Sequence, residues 1–300
     1  MTIRYLLLPL LAGIICTGSK AQLLPRMQQK YPNADAVHLQ YSRDIRFFMQ
    51  DGIPMAEALV QQDLLLLNER TAAFFTRSRV YHSGYNELQW MEAHTLLPDS
   101  KKKLPVTEKK TSAATRDAIF YDDLKETSFD YPSLQAGATT QLKYSIKHNE
   151  IRLLNPFIYT SGVPVERLAF SASVPDDIEI GYIIRNDNSG RFTMTTERKK
   201  NITTYRWEMK DAEFEDHYSD APDQYYYLPH IIIYVKSYLA GGQRQKVFGT
   251  VDDLYAWNAG FLKELNKEKD ANLKAITDSV TKGISAPLQK AAAIYKWVQS

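Results

Sequence analysis

Six histidines, at positions 38, 82, 94, 148, 217 and 230, are the side chains of this sequence best suited to move a proton near neutral pH, so their spacing bounds the chemistry. They lie in separate segments. A serine or threonine nucleophile needs a neighbouring base, and no Gly-x-Ser-x-Gly elbow stands near any serine. A zinc site on His217 would want a second histidine three to five residues away, and none is there. The acidic run Asp211, Glu213, Glu215, Asp216, Asp220 and Asp223 has enough oxygen ligands for calcium. It lacks the glycine and the spacing of an EF-hand loop, and a solvated acidic connection between strands is the simpler account. No catalytic residue, metal ligand or cofactor is assigned on these patterns.

Tyr225-Tyr226-Tyr227 follows the acidic run, in a chain with 19 tyrosines. Aromatic platforms can stack on sugars. Successive side chains of a strand point to opposite faces, so Tyr225 and Tyr227 would share a side, and these two are the candidate binding residues. The competing reading is core or interdomain burial, in which tyrosine hides its ring and keeps its hydroxyl wet.

The first 21 residues stand apart from these elements. Arg4 precedes an apolar run from Tyr5 to Ile15, and Ser19-Lys20-Ala21 puts small residues three and one before a cut at Gln22. This is the pattern of a secretory signal peptide cleaved after Ala21, with an apolar core too short for a membrane span. Ile15 is unsuited to a lipid anchor on Cys16, so soluble export to the periplasm or beyond is expected. Loss of Arg4 and Lys20 reduces 37 basic residues to 35 against 35 acidic ones, and the formal charge falls from +2 to zero. A nucleic-acid partner then has no electrostatic basis. Cys16, the only cysteine, leaves as well, and with it any disulfide or thiolate. The 44% apolar composition must supply the core.

The elements that would carry these side chains read mainly as strands. The organising stretch is Tyr131 to Tyr182. Within it Leu142, Tyr144 and Ile146 share one parity, as do Leu168, Phe170, Ala172 and Val174. Upstream, Val37, Leu39, Tyr41, Ile45, Phe47 and Met49 share a parity broken only by Arg43, which reads as a first strand or a bent pair, and Asp51-Gly52 closes it as a turn. Leu64 to Leu67 and Thr71 to Val80 fit either a strand or a helix, Leu88 to Leu97 reads as extended, and Lys101 to Thr115 as an exposed polar loop. Ile178 to Arg185, Arg191 to Glu197 and Ile202 to Met209 read as three antiparallel strands, and Ile231 to Phe248 as a further hairpin around Gly241-Gly242. From Val251 the periodicity becomes helical through Leu254, Trp257, Phe261, Leu262 and Leu265, then Leu273, Ile276 and Val280. Pro287 opens a last helix over Leu288 to Val298, whose pattern stops uncapped at Ser300 and reads as a truncation. The expected fold is mainly β, an antiparallel β-sandwich over residues 22–250 followed by C-terminal helices over 251–300.

Taken together, Lys30-Tyr-Pro-Asn-Ala-Asp-Ala-Val37, Tyr131-Pro132 with Leu134 and Gly137, Gly162 to Val165 with Val174-Pro175, Trp207 with its following acidic run, and Leu228-Pro229-His230-Ile231 carry a resemblance. The sequence resembles Gram-negative bacterial exported transglutaminase-like proteins, whose N-terminal module is a β-sandwich domain of unknown function. The resemblance implies a papain-like core downstream, with Lys290 to Val298 similar to its first helix and a catalytic Cys, His and Asp that match no residue here. It also implies a non-catalytic module that positions a substrate or partner for that domain. The alternative is a free-standing exported protein that binds a peptide or a glycan.

Overall fold

The computed structural model of the chain describes residues 23–70, 74–98, 102–114, 123–212, 220–263, 267 and 270–300. The expected leader lies outside these residues, as do Glu213, Glu215, Asp216 and His217 of the acidic run. The chain is mainly β with several antiparallel sheets, and divides into two compact units, the second running from Phe248 to Ser300.

In the first unit a short helix α1 (Leu23–Lys30) leads into β1 (Ala36–Gln50) and β2 (Ile53–Leu66). Asp51 and Gly52 join these strands with φ of 51° and 76°, the left-handed pair that the Asp-Gly signal predicts. β3 (Arg77–His82), β4 (Asn86–Leu96), β5 (Lys103–Pro105), β6 (Lys110–Ala113), β7 (Lys125–Asp130), β8 (Thr139–His148), β9 (Phe157–Ile158) and β10 (Val165–Pro175) follow. The chain then forms β11 (Ile178–Arg185), β12 (Thr193–Lys199), β13 (Ile202–Ala212), β14 (His230–Ala240) and β15 (Gln243–Lys246). Eight of these build one large sheet in the order β12-β13-β10-β1-β2-β8-β4-β5. β9, β11, β14 and β15 build a second sheet, and β3-β7-β6 a third.

Three features depart from the sequence reading, each for a local reason. β1 is a single strand, but its register with β2 shifts between His38 and Gln40. That bulge turns Val37 and Leu39 to the opposite face from the one that continues through Tyr41, Ile45 and Phe47. Val37, Leu39, Leu65 and Leu67 therefore pack beneath α1 with Met27 and Tyr31, while Ala36, Leu64 and Leu66 face the other way with Phe75 and Leu134. The ambiguous run Leu64 to Leu67 is thus the end of a strand and its exit, buried on both sides.

The second departure is a parallel pair, β1 with β10, in the middle of an otherwise antiparallel large sheet. The third follows from it. β10 already has β1 and β13 as neighbours, so β11 has no edge to join there and crosses to the second sheet, where it pairs with β14. Of the three strands read as a meander only β12 and β13 pair with each other, while β14 and β15 form the hairpin expected around Gly241-Gly242. The expected loop from Lys101 to Thr115 contains β5 and the fully exposed β6, edge strands held by backbone pairing and so without an apolar alternation to betray them.

Both smaller sheets lie on one face of the large one. From the third sheet, Val80 and Phe129 pack onto Met91, Ala93, Leu142 and Ile146. From the second, the Phe157 ring stacks on Phe170 at 4.8 Å and the Tyr182 ring meets Trp207 edge-on at 5.1 Å. Gly181 faces Tyr234 across the β11–β14 ladder, and a Cβ at Gly181 would overlap the Tyr234 ring. Gly181→Val is accordingly expected to cost about 1–3 kcal/mol, read as a shift of the urea midpoint without change of slope. An unchanged midpoint would mean that Tyr234 swings aside freely.

The second unit holds α2 (Val251–Leu262), α3 (Ala271–Val280) and α4 (Pro287–Gln299). Thr250 and Asp253 cap α2 reciprocally, Asp270 caps α3, and Pro287 stands in the first turn of α4. None of their described residues is buried, and Phe261, Leu273, Leu288 and Val298 are each at least 60% exposed.

Candidate functional site

The lateral order β1-β2-β8 brings together two polar residues from core-facing positions of their strands. Arg43 sits in β1 opposite Val60 of β2, and Val60 in turn lies opposite Tyr144 of β8. His148 ends β8 opposite Ala56. Ala56 and Ala58 are nearly fully buried and too short to rise between the two strands. The long Arg43 side chain therefore lies across an alanine floor and reaches His148.

A cleft of about 260 Å³ opens over this floor, lined by Tyr41, Arg43, Ala58, Val60, Tyr144 and His148 from the large sheet, with Tyr81, Ser83 and Asn155 among its other walls. Arg43 Nη1 donates to the carbonyls of Asn155 at 3.2 Å and Pro156 at 3.5 Å, and Nη2 faces His148 Nε2 at 3.4 Å. On the far side of the ring, His148 Nδ1 is 2.7 Å from Asn86 Oδ1. One tautomer satisfies both contacts. With its proton on Nδ1, the imidazole donates to Asn86 and accepts from Arg43. Burial, and then the Arg43 charge, push the His148 pKa down to about 3, so the ring is neutral across the physiological range.

Arg43 carries its charge without a carboxylate partner among the described residues. Burial disfavours that charge and pulls the Arg43 pKa down from its ordinary value. The Tyr144 and Tyr41 hydroxyls are themselves pushed upward by burial, and so remain protonated. A neighbouring cavity of about 290 Å³ shares Tyr41 and is lined by His38, Tyr131 and Tyr159. The His38 ring meets Tyr41 and Tyr159 edge-on, both at 5.7 Å, its Nδ1 is buried without a partner among the described residues, and burial lowers its pKa to about 4.

The tyrosines singled out from sequence are placed differently. Gln224–Tyr226 is a 3-10 turn capped by Asp223, so strand alternation does not apply to Tyr225 and Tyr227. The Tyr225 ring packs edge-on against His230 at 5.4 Å. Tyr227 is half-buried at the end of the turn, and neither residue lines the cleft. The residues that do line it had a signal in the sequence: Arg43 alone breaks the apolar parity of β1, and His148 continues the parity of Leu142, Tyr144 and Ile146. Among the described residues no three His, Cys, Asp or Glu side chains converge as a metal site would require, and no helix is long and apolar enough to cross a membrane.

The motifs that carried the family resemblance serve mainly the fold. Lys30 at the end of α1 pairs with Glu166 and Asp211, Tyr31 and Trp207 are buried, and His230 Nδ1 contacts the Leu228 carbonyl at 2.9 Å.

Comparison with known proteins agrees with the architecture. A crystal structure from Parabacteroides distasonis ATCC 8503, named as a candidate protease, is similar with a TM-score of 0.64 and 16% identity over 88% of this chain and 50% of that one. The chain thus spans about half the length of that relative, and at this identity the likeness is one of fold. An M1 zinc metallopeptidase from Deinococcus radiodurans matches with a TM-score of only 0.35 and 12% identity over 67% of this chain and 42% of that one, too little to argue from. No curated protein matches. The profile of a domain of unknown function for which a solved structure exists, DUF3857, matches residues 60–214. That span runs from within β2 through the end of β13 and covers half of the chain, so the chain belongs to the DUF3857 family.

Proposed function

We propose that this chain is the non-catalytic β module of an exported transglutaminase-like protein, and that it positions a substrate or partner for a papain-like domain downstream. The observation that carries this reading is how His148 is held. Both ring nitrogens are occupied, by Asn86 and by Arg43, and the guanidinium opposes the protonation that a general base must undergo. The most polar part of the core is thus arranged to hold a shape and a charge. The same reading takes the large sheet and the second sheet as the two layers of a β-sandwich, supported by the aromatic seam of Phe157 and Tyr182 on Phe170 and Trp207. It takes residues 22–250 as the module and 251–300 as linker and first helix of the next domain. The uncovered apolar faces of α2, α3 and α4 suit contact with another protein surface. Tyr225 and Tyr227 belong to the partner-facing side.

Residues 22–300, recovered by export and purified, are expected to show neither peptide hydrolysis nor amine incorporation above blank, with or without added zinc or calcium. The intact mass is expected to start at Gln22. Turnover abolished by His148→Gln, or by substitution of His217 or Asp216, would overturn the non-catalytic reading. A retained or acylated leader would overturn the soluble-export part of it.

A further inference from the structure

We propose that the cleft above the β1-β2-β8 floor binds a monoanionic carboxylate that carries a small apolar group. The argument begins with donors. A guanidinium has five N–H groups. Two contacts from Nη1 go to main-chain carbonyls and one from Nη2 goes to His148, which leaves the Nε–H and one Nη2–H without a partner among the described residues. The carbonyl contacts fix the plane of the guanidinium, so these two donors are presented in a set direction. A carboxylate can take them together, through its two oxygens.

Charge narrows the choice of anion. Arg43 is the one formally charged residue among the described residues that line the cleft. The two histidines there, His82 and His148, are both shifted toward the neutral form by burial first, with Lys125 adding to the shift at His82 and Arg43 at His148. One positive charge in a poorly solvated site neutralises one negative charge, whereas a phosphate dianion would enter with a charge to spare. Size and lining give the rest of the ligand. About 260 Å³ is room for several waters at about 30 Å³ each, more than an inorganic ion needs. Beside the guanidinium the surface is Ala58, Val60 and Ile146 with the Tyr41 and Tyr144 rings, which suits an aromatic or branched aliphatic group. Tyr81, 48% exposed, stands at the rim and leaves the entrance open to solvent.

This goes beyond the non-catalytic reading and does not depend on it, because turnover would overturn that reading and leave binding as it is. The test is titration of the full chain with benzoate, its neutral isostere benzamide, and inorganic phosphate, followed by the methyl resonances of Ala58, Val60 and Ile146. Benzoate is expected to shift these methyls saturably in the millimolar range, at least about tenfold more tightly than benzamide. Arg43→Met is expected to abolish the preference. Should that variant fail to fold, Arg43→Lys keeps the charge but loses the paired donors, and is expected to bind benzoate at least about fivefold more weakly. A parallel titration with N-acetyl-alanyl-valine and its C-terminal amide separates the sources. Binding of benzoate alone assigns a free organic acid, and binding of the peptide acid but not its amide extends the site to a chain terminus. No saturable shift with benzoate, equal affinity for benzamide, unchanged affinity in either variant, or phosphate competing on equal terms would overturn the proposal.

Discussion

Lowering the pH from 7 to 4 is expected to remove on the order of 5 kcal/mol of stability from the β unit through two imidazoles alone. His38 and His148 are 7% and 2% exposed, with pKa values held down to about 4 and about 3 against 6.5 for the free side chain. Burial is the cause at His38, and burial followed by the Arg43 charge at His148. A depressed histidine pKa means that the unfolded chain takes up the proton first. Stability is therefore fully present above about pH 6.5 and falls below it, by about 1.4 kcal/mol per pH unit for each ring, until the folded pKa is reached. Urea unfolding at a series of pH values reads this as a falling midpoint. His148→Gln, which can still donate to Asn86 and accept from Arg43, is expected to remove about half of the slope. With His38→Phe added, most of it should disappear. An acid limb of the same steepness in the double variant would transfer the effect to the carboxylates.

Trp207→Ala is expected to cost about 3–5 kcal/mol, enough to unfold many domains of this size at physiological temperature. The indole is 0% exposed, stacked between Phe170 at 5.4 Å and Tyr205 at 6.1 Å, and met edge-on by Tyr182. It therefore joins β10, β13 and the second sheet at one point, and alanine would leave a cavity bounded by three rings that cannot collapse together. Trp207→Phe discriminates between volume and polarity. The indole N–H is buried without a hydrogen-bond partner among the described residues, so phenylalanine loses some contact area but also an unsatisfied donor. Its cost is expected to be smaller than that of alanine by about 2 kcal/mol or more. A loss below about 1 kcal/mol for Trp207→Ala, measured by denaturant unfolding, would show that the seam is not needed to hold the sheets together.

Local chemistry was legible in the sequence and lateral order was not. The Asp51-Gly52 turn, the β12–β13 hairpin, the strand parity of β8 and β10, and the proline that opens the last helix all follow from a few adjacent residues, and the structure reproduces them. The bulge at Leu39 escapes such reading because one inserted residue preserves the composition of the strand and changes only which face each side chain takes. The exit of β11 to the second sheet depends on β10 having both edges filled, one of them by a strand more than a hundred residues earlier. The candidate site shows the same division. Arg43 and His148 both stand out against the parity of their strands, yet neither strand says that the other lies two ladders away across Ala56 and Ala58. The tyrosine pair attracted notice through repetition, and its strand geometry was lost to a 3-10 turn because Asp223 offers the backbone a local cap.

The parallel pair at the centre of the large sheet sets a schedule for the nascent chain. β1 is complete at Gln50, but its second neighbour begins only at Val165, so one long edge of β1 waits while more than a hundred residues are still to be made. At ribosomal rates of about 5–20 residues per second, that edge stays open for on the order of ten seconds. The β1–β2 hairpin can form at once and β8 can add to it from the other side, so the ladder grows in one direction first and is sealed late by β10 arriving with β13. Until then the exposed edge offers unpaired backbone beside Ile45 and Phe47, a template on which another chain's strand can pair.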